Sequence, residues 1–310
     1  MGYQHLTGIH ELTADELREI LALSAEMKAQ PERFRAVLAH KTVALIFQKP
    51  STRTRVSFQV GIHQLGGAAL VLGQNELQLG RGETLADTAR VLSRYVDGIM
   101  ARVFAHANVV ELAEHATIPV INGLSDLLHP CQALADYFTM SERFDDLRGL
   151  KVTYLGDGNN VAHSLAYGAA RLGVHLTLAT PDGRYQPDPG VIARARQDAA
   201  ATGATIDLTH DPQRAVEGAQ VVYTDVWTSM GQESENEQRL RDLREFQVNR
   251  PLFERAADDA IFMHCLPAHR GEEVTDAIAD HERSVIFDQA ENRLHTQKAL
   301  LKLLMDRRQG

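Results

Sequence analysis

Two arginines and three hydroxyls crowd the pentad Ser51-Thr52-Arg53-Thr54-Arg55, just downstream of the apolar run Val43-Ala44-Leu45-Ile46-Phe47. The run reads as a buried strand and the pentad as the start of a helix. A helix N-terminus presents unpaired N–H groups and the positive end of its dipole. Guanidinium forks and hydroxyls beside it make a phosphate cradle. The competing reading is a basic helix start facing solvent. With 32 Lys+Arg against 41 Asp+Glu and a formal net charge of -9, the pentad runs against its background.

Other reactive residue types fall after further apolar runs. Arg102 follows Gly98-Ile-Met-Ala, and His129-Pro130-Cys131-Gln132 opens a helical stretch. An imidazole and an amide there can polarise a substrate carbonyl, with Arg102 supplying charge; a structural histidine is the alternative. Asn160 offers an amide to a carboxylate or ammonium. Asp225 ends the strand-like Val221-Val-Tyr-Thr224 and is a natural partner for a substrate amine. Beyond it, Trp227 to Gly231 reads as a loop with a glycine hinge that closes over the acceptor and excludes water. Cys265, in His264-Cys265-Leu266-Pro267, is either an inert small core residue or a thiol that helps deprotonate an amine.

Two sharper motifs fail on spacing. Gly156-Asp157-Gly158 lacks the third glycine of a dinucleotide fingerprint, because position 161 is Val. His264, Cys265 and His269 lack a second Cys/His pair at zinc spacing. Neither a metal nor an organic cofactor is expected.

These loops need a scaffold. Strand-like runs at 43–47, 69–72, 98–103, 118–121, 151–155, 175–179, 204–208, 220–224, 260–263 and 284–287 alternate with helical stretches. Near-continuous Val/Ile/Leu strands imply parallel sheets covered on both faces. About ten strands exceed one comfortable open sheet. The expectation is an α/β protein of two doubly wound parallel-sheet domains, with the active site in the cleft between them. Domain limits are placed at 1–146 and 147–290, with a C-terminal helix within 291–310, centred on Gln297 to Arg307, packing back on the first domain. Residues 227–248 read as one long irregular loop, and Thr13 with Glu16 as the capping box of an N-terminal helix.

Composition narrows the class further. Hydrophobic content of 44% and charged content of 24% describe an ordinary globular chain. No basic stripe suits nucleic acid, no apolar stretch reaches membrane-span length, and Met1-Gly2-Tyr3-Gln4-His5, without a basic region ahead of an apolar one, sets the expectation of no secretory signal. Two distant cysteines outside any Cys-x-x-Cys pair point to cytoplasmic thiols.

Taken together, Phe47-x-Lys49-x-Ser51-Thr52-Arg53-Thr54-Arg55, His129-Pro130-Cys131-Gln132, Asp225-x-x-x-Ser229-Met230-Gly231 and His264-Cys265-Leu266-Pro267 resemble the aspartate/ornithine carbamoyltransferase family, in order along nearly the whole chain. The last two motifs resemble its ornithine branch; Pro50 is more typical of the aspartate branch. The resemblance implies carbamoyl transfer from carbamoyl phosphate to L-ornithine, giving citrulline and phosphate, in arginine metabolism and on the biosynthetic side. It implies Ser51, Thr52, Arg53 and Thr54 on the phosphate, and Arg102, His129, Gln132 and Arg293 on carbamoyl phosphate. Cys265 and Leu266 would lie near the amine and carbamoyl group, and Asn160, Asp225, Ser229 and Met230 on ornithine. Catalysis would fall to Arg102, His129, Cys265 and Asp225, the last two orienting the amine and favouring its neutral form. A homotrimer, or a multiple of trimers, would let Gln78 reach a neighbouring site. Three rivals stay open: aspartate or putrescine as acceptor, a nicotinamide-dependent oxidoreductase, and a non-catalytic carbamoyl-phosphate sensor.

Overall fold

Thr13 and Glu16 do form the expected capping box: Glu16 N donates to Thr13 Oγ1 at 3.2 Å and Thr13 N to Glu16 Oε2 at 3.0 Å. They start α1 (Ala14–Ala29), which leads into alternating strands and helices. The computed structural model describes residues 4–74, 82–229 and 231–306. The chain divides into two units, Met1–Phe138 with Asn292–Gly310, and Thr139–Glu291.

The first unit runs β1 (Thr42–Phe47), α2 (Thr52–Gln64), β2 (Ala68–Gly73), α3 (Leu85–Leu92), β3 (Gly98–Arg102), α4 (His106–His115) and β4 (Val120–Leu124), then enters α5 (Pro130–Ser141). Its sheet has the order β2-β1-β3-β4, parallel throughout. β3 is buried along its length and β1 nearly so, while edge strand β2 is only half covered. Ala44, Ile46, Ile99, Ala101 and Val120 pack with Val109 and Leu112 of α4 on one side of the sheet.

The second unit runs β5 (Lys151–Leu155), α6 (Asn160–Leu172), β6 (His175–Ala179), α7 (Pro189–Ala199), β7 (Ile206–Thr209), α8 (Pro212–Val216), β8 (Val221–Thr224), α9 (Asn236–Asp242), α10 (Arg250–Phe253), β9 (Ile261–His264) and α11 (Asp276–Ala279). Its sheet order is β7-β6-β5-β8-β9, again all parallel. The final helix, α12 (Ile286–Met305), starts in this unit and ends in the first.

Sheet order locates the sites. Ligands of open α/β sheets bind beyond the strand carboxyl ends where the winding direction reverses. In the first sheet the reversal lies between β1 and β3, whose ends pair as Phe47 with Arg102. In the second it lies between β5 and β8, where Leu155 pairs with Thr224.

Three expectations change. The tenth strand, at 284–287, is an isolated bridge at Ser284 followed by the first turn of α12, so nine strands form among the described residues. The terminal helix consequently begins at Ile286 rather than near Gln297. Residues 227–248 are not one irregular loop, since α9 and short 3₁₀ turns at Glu233–Glu235 and Arg244–Phe246 organise them.

Candidate active site

Ser51 is the N-cap of α2, in extended backbone, with its hydroxyl accepting from Thr54 N at 3.2 Å. Strand β1 thus hands over to a helix at the pentad, as the sequence suggests. Among the described residues, no hydrogen bond within the protein engages the N–H groups of Thr52 or Arg53. Ser51 is half-buried, Thr52 and Arg53 are exposed, and Thr54 is buried. Exposed donors therefore sit above a buried hydroxyl.

That hydroxyl joins a polar web. Thr54 Oγ1 accepts from Arg293 Nη2 at 3.1 Å and more distantly from Arg102 Nη1 at 3.5 Å. Arg293 Nη1 donates to Gln132 Oε1 at 2.7 Å, and Gln132 Nε2 to Asp136 Oδ1 at 2.8 Å. Arg102, His129, Gln132, Asp136 and Arg293 are all buried. Burial first, then the positive charges of Arg293 and Arg102, holds the His129 imidazole well below its ordinary range. His129 is therefore neutral at physiological pH and offers a single N–H. Lys49 is also pushed down, by burial and then by Arg102, and its Nζ lies 4.8 Å from the Phe104 ring centroid. Cys131 belongs to α5 rather than to a loop; burial raises its thiol to about 12, which leaves it unreactive.

In the second unit, register does the positioning. Leu155, Thr224 and His264 lie side by side across β5, β8 and β9, so Asn159, Asp225 and Cys265 emerge at one sheet end. Asp225 is buried and accepts three hydrogen bonds. Cys265 Sγ donates to Oδ1 at 2.8 Å, Val226 N to Oδ1 at 2.8 Å, and Asn159 Nδ2 to Oδ2 at 2.7 Å. The sequence reading missed Asn159. Asn160, its chosen neighbour, is half-buried in the first turn of α6, whereas Asn159 caps that helix and reaches Asp225. The N-cap preference of asparagine is the signal that separates the two.

Cys265 and Leu266 are half-buried, and Leu266 has φ +57 ahead of a cis Leu266-Pro267 bond. A branched side chain in the left-handed region is held there by its surroundings. Here His264 Nδ1 accepts Leu266 N at 2.9 Å, while His264 Nε2 lies 3.1 Å from buried Glu273 Oε1. Both imidazole nitrogens are engaged in shaping the loop. His264, Cys265 and His269 do not gather as one donor set: the first two group with Asp225, and His269 with Glu272 and Glu273.

Ser229 is half-buried, with its N–H bound to Gln232 Oε1 at 3.0 Å. Trp227 is buried against Tyr185, Leu240 and Leu243, and its carbonyl accepts from Arg239 Nη1 at 2.8 Å. Gln78 and Met230 lie outside the described residues.

The glycine pair also finds its reason. A Cβ on Gly158 would lie 2.3 Å from Pro187 N, and Gly158 N donates to Tyr185 O at 2.8 Å. Asn159 Oδ1 takes the N–H groups of Val161 and Ala162 at 2.9 and 3.2 Å. Those are the groups a pyrophosphate would need at this helix end. Gly158 serves close packing of the chain on itself.

A guanidinium-rich anion cradle at one switch point and a carboxylate–thiol pair at another define a group-transferring enzyme of the open α/β class. Residues 4–142 match the family profile described as aspartate/ornithine carbamoyltransferase, carbamoyl-P binding domain, and residues 148–304 that described as the Asp/Orn binding domain. The chain belongs to the aspartate/ornithine carbamoyltransferase family. An ornithine carbamoyltransferase of Thermococcus kodakarensis is 59% identical over 302 residues, covering 96% of this chain and 95% of that protein. An anabolic ornithine carbamoyltransferase of Pyrococcus furiosus is 57% identical, with coverage of 96% and 95%. The solved Pyrococcus furiosus ornithine carbamoyltransferase matches with a TM-score of 0.94 at 56% identity, over 97% of each chain.

Proposed function

We propose that the chain transfers the carbamoyl group of carbamoyl phosphate to the side-chain amine of L-ornithine, releasing L-citrulline and phosphate. One observation carries the acceptor: Asp225 is held by Cys265, Asn159 and Val226 N at a strand end, ready to receive an amine. The phosphate dianion is held by Ser51, Thr52, Arg53 and Thr54 at the α2 N-terminus. Arg102, the neutral His129, Gln132 and Arg293 take the carbamoyl end, to which the family resemblance also assigns Cys265 and Leu266.

The amine nitrogen attacks the carbonyl carbon, and negative charge builds on its oxygen. Arg102 and the His129 N–H stabilise that charge. Positive charge builds on the nitrogen, which Asp225 orients and stabilises, with the Cys265 thiol beside it. Collapse breaks the bond to the phosphate oxygen, and the nitrogen passes its proton to the departing phosphate. Asn160, Ser229 and Met230 hold the rest of ornithine. Asp225 repels the side-chain carboxylate of aspartate, which disfavours that rival. The packing of Gly158 and the capping of α6 disfavour a nicotinamide site.

The same reading places the enzyme in arginine biosynthesis. It assigns carbamoyl phosphate to residues 1–146 and ornithine to 147–290. It has the protein assemble as a homotrimer or multiple of trimers, with Gln78 serving a neighbouring site. Cys131 and Cys265 are both free thiols, which supports a reducing cytoplasm. No helix among the described residues is long and apolar enough to cross a membrane.

Citrulline-type product formation with ornithine, N-acetylornithine, putrescine and aspartate offered in parallel tests the proposal. Turnover with ornithine alone is expected. Greater turnover with any other acceptor overturns the assignment, and no turnover with any of them leaves the sensor reading standing.

A further inference from the structure

Gln132 is gripped by two partners of opposite and fixed hydrogen-bonding character. Arg293 Nη1 donates to its Oε1 at 2.7 Å, and its Nε2 donates to Asp136 Oδ1 at 2.8 Å. A guanidinium has only donors, so the amide oxygen must face Arg293 and the amide N–H is left for the Asp136 oxygen. Turning the amide over would set N–H against guanidinium and carbonyl against carboxylate, losing both bonds. The orientation therefore follows from the chemistry of the neighbours, unlike most amide placements. Asp136 lies four residues beyond Gln132 on α5, the spacing that stacks side chains on one helix face. Gln132 and Asp136 are both buried, so a lost partner leaves a polar group unsatisfied.

We propose that Asp136 is a positioning residue that sets donor specificity: by holding Gln132 Nε2, it keeps the Gln132 carbonyl oxygen turned to the side of Arg293 and Thr54, where a second lone pair accepts an N–H of the carbamoyl group. The inference rests on Gln132 being a carbamoyl ligand. A carbonyl oxygen carries two lone pairs, and Arg293 uses one. Acetyl phosphate has nearly the shape of carbamoyl phosphate but a methyl in place of the amino group, so it cannot fill the other. Inorganic phosphate meets only the cradle at the α2 N-terminus. The three ligands separate the contribution of Gln132 from that of Ser51 to Thr54.

Calorimetric titration of the full-length protein with fresh carbamoyl phosphate, acetyl phosphate and inorganic phosphate reads the effect. The wild type should prefer carbamoyl over acetyl phosphate by roughly tenfold or more, the worth of one buried hydrogen bond. Asp136→Ala should lose most of that preference while binding inorganic phosphate within about threefold of wild type. Asp136→Asn keeps a carbonyl for Gln132 Nε2 and should retain the preference. Asp136→Leu removes the acceptor without opening a cavity and repeats the comparison if Asp136→Ala does not fold. Equal weakening of all three ligands would reduce Asp136 to structural support and overturn the proposal. So would an undiminished preference in Asp136→Ala. A wild type that does not distinguish carbamoyl from acetyl phosphate removes the reading of Gln132 itself, and the proposal with it.

Discussion

His129 is buried beside Arg102 and Arg293, and its proton affinity is lowered by all three influences. The unfolded chain would titrate this ring near about 6.5. The folded protein takes up the proton only at lower pH, so between the two values the unfolded state binds more protons and stability rises with pH. Stability is thus full above the ordinary histidine range and is lost as pH falls through it. His5 and His106 shift in the same direction by burial, so His129 accounts for one share. In His129→Gln, the loss of unfolding free energy between pH 7.5 and 5.5 should shrink by about 1 kcal/mol; identical pH slopes in urea titrations would refute the buried neutral ring. Asn159 gives a second expectation. Its side chain both caps α6 and binds Asp225, so Asn159→Ala should cost about 1 kcal/mol of stability. It should also raise the KM for ornithine on the order of tenfold, with the KM for carbamoyl phosphate little changed. A change in both KM values alike would detach Asn159 from the acceptor. Sequence reading singled out Asn160 and passed over its neighbour Asn159. Two adjacent asparagines at a helix start look the same until the N-cap is located, and boundaries are where pattern reading is weakest.

The segment after β8 shows how an element can hide in sequence. Its helix α9 is short and polar, without an apolar stripe, so 227–248 reads as loop. What organises it is one buried cation. Arg239 donates to Asp157 Oδ2 and to Trp227 O, both at 2.8 Å, and its guanidinium lies 5.4 Å from the Tyr185 ring centroid. Asp157 is nevertheless shifted upward, burial outweighing the help from Arg239. The pair is therefore specific rather than strongly stabilising, and breaking it from one side leaves an uncompensated charge. Arg239→Met should lose about 3 kcal/mol of stability. The double variant Arg239→Met with Asp157→Leu should recover most of that loss in urea midpoints, whereas additive losses would show that the two side chains are not energetically coupled. The strands were far easier to read. Buried on both faces, β1, β3 and β8 appear as largely apolar runs bounded by polar loops. The same rule produced the false strand at 284–287. Val285 and Ile286 are buried but Phe287 is exposed, so the three apolar residues do not share one buried strand. A short apolar run cannot by itself tell a strand from the first turn of a helix.

For the assembled protein, the strongest expectation concerns Gln78, whose place in the Leu77-Gln78-Leu79-Gly80 segment resembles the family position that serves a neighbouring subunit. If each site takes Arg53 from one protomer and Gln78 from the next, neither Arg53→Ala nor Gln78→Ala can make a working homotrimer. A mixture can. In randomly reassembled trimers made from equal amounts of the two variants, a given site draws Arg53 from a Gln78→Ala protomer half the time. It draws Gln78 from an Arg53→Ala neighbour half the time, so about one quarter of sites are complete. Each variant alone should fall on the order of 10²-fold or more in turnover. Dissociating the two in mild denaturant, mixing and refolding them should then restore activity toward that quarter. The same treatment of each variant separately should restore none. Activity that stays at the level of the single variants after mixing, with trimers verified by light scattering, would place Arg53 and Gln78 of one site on the same protomer.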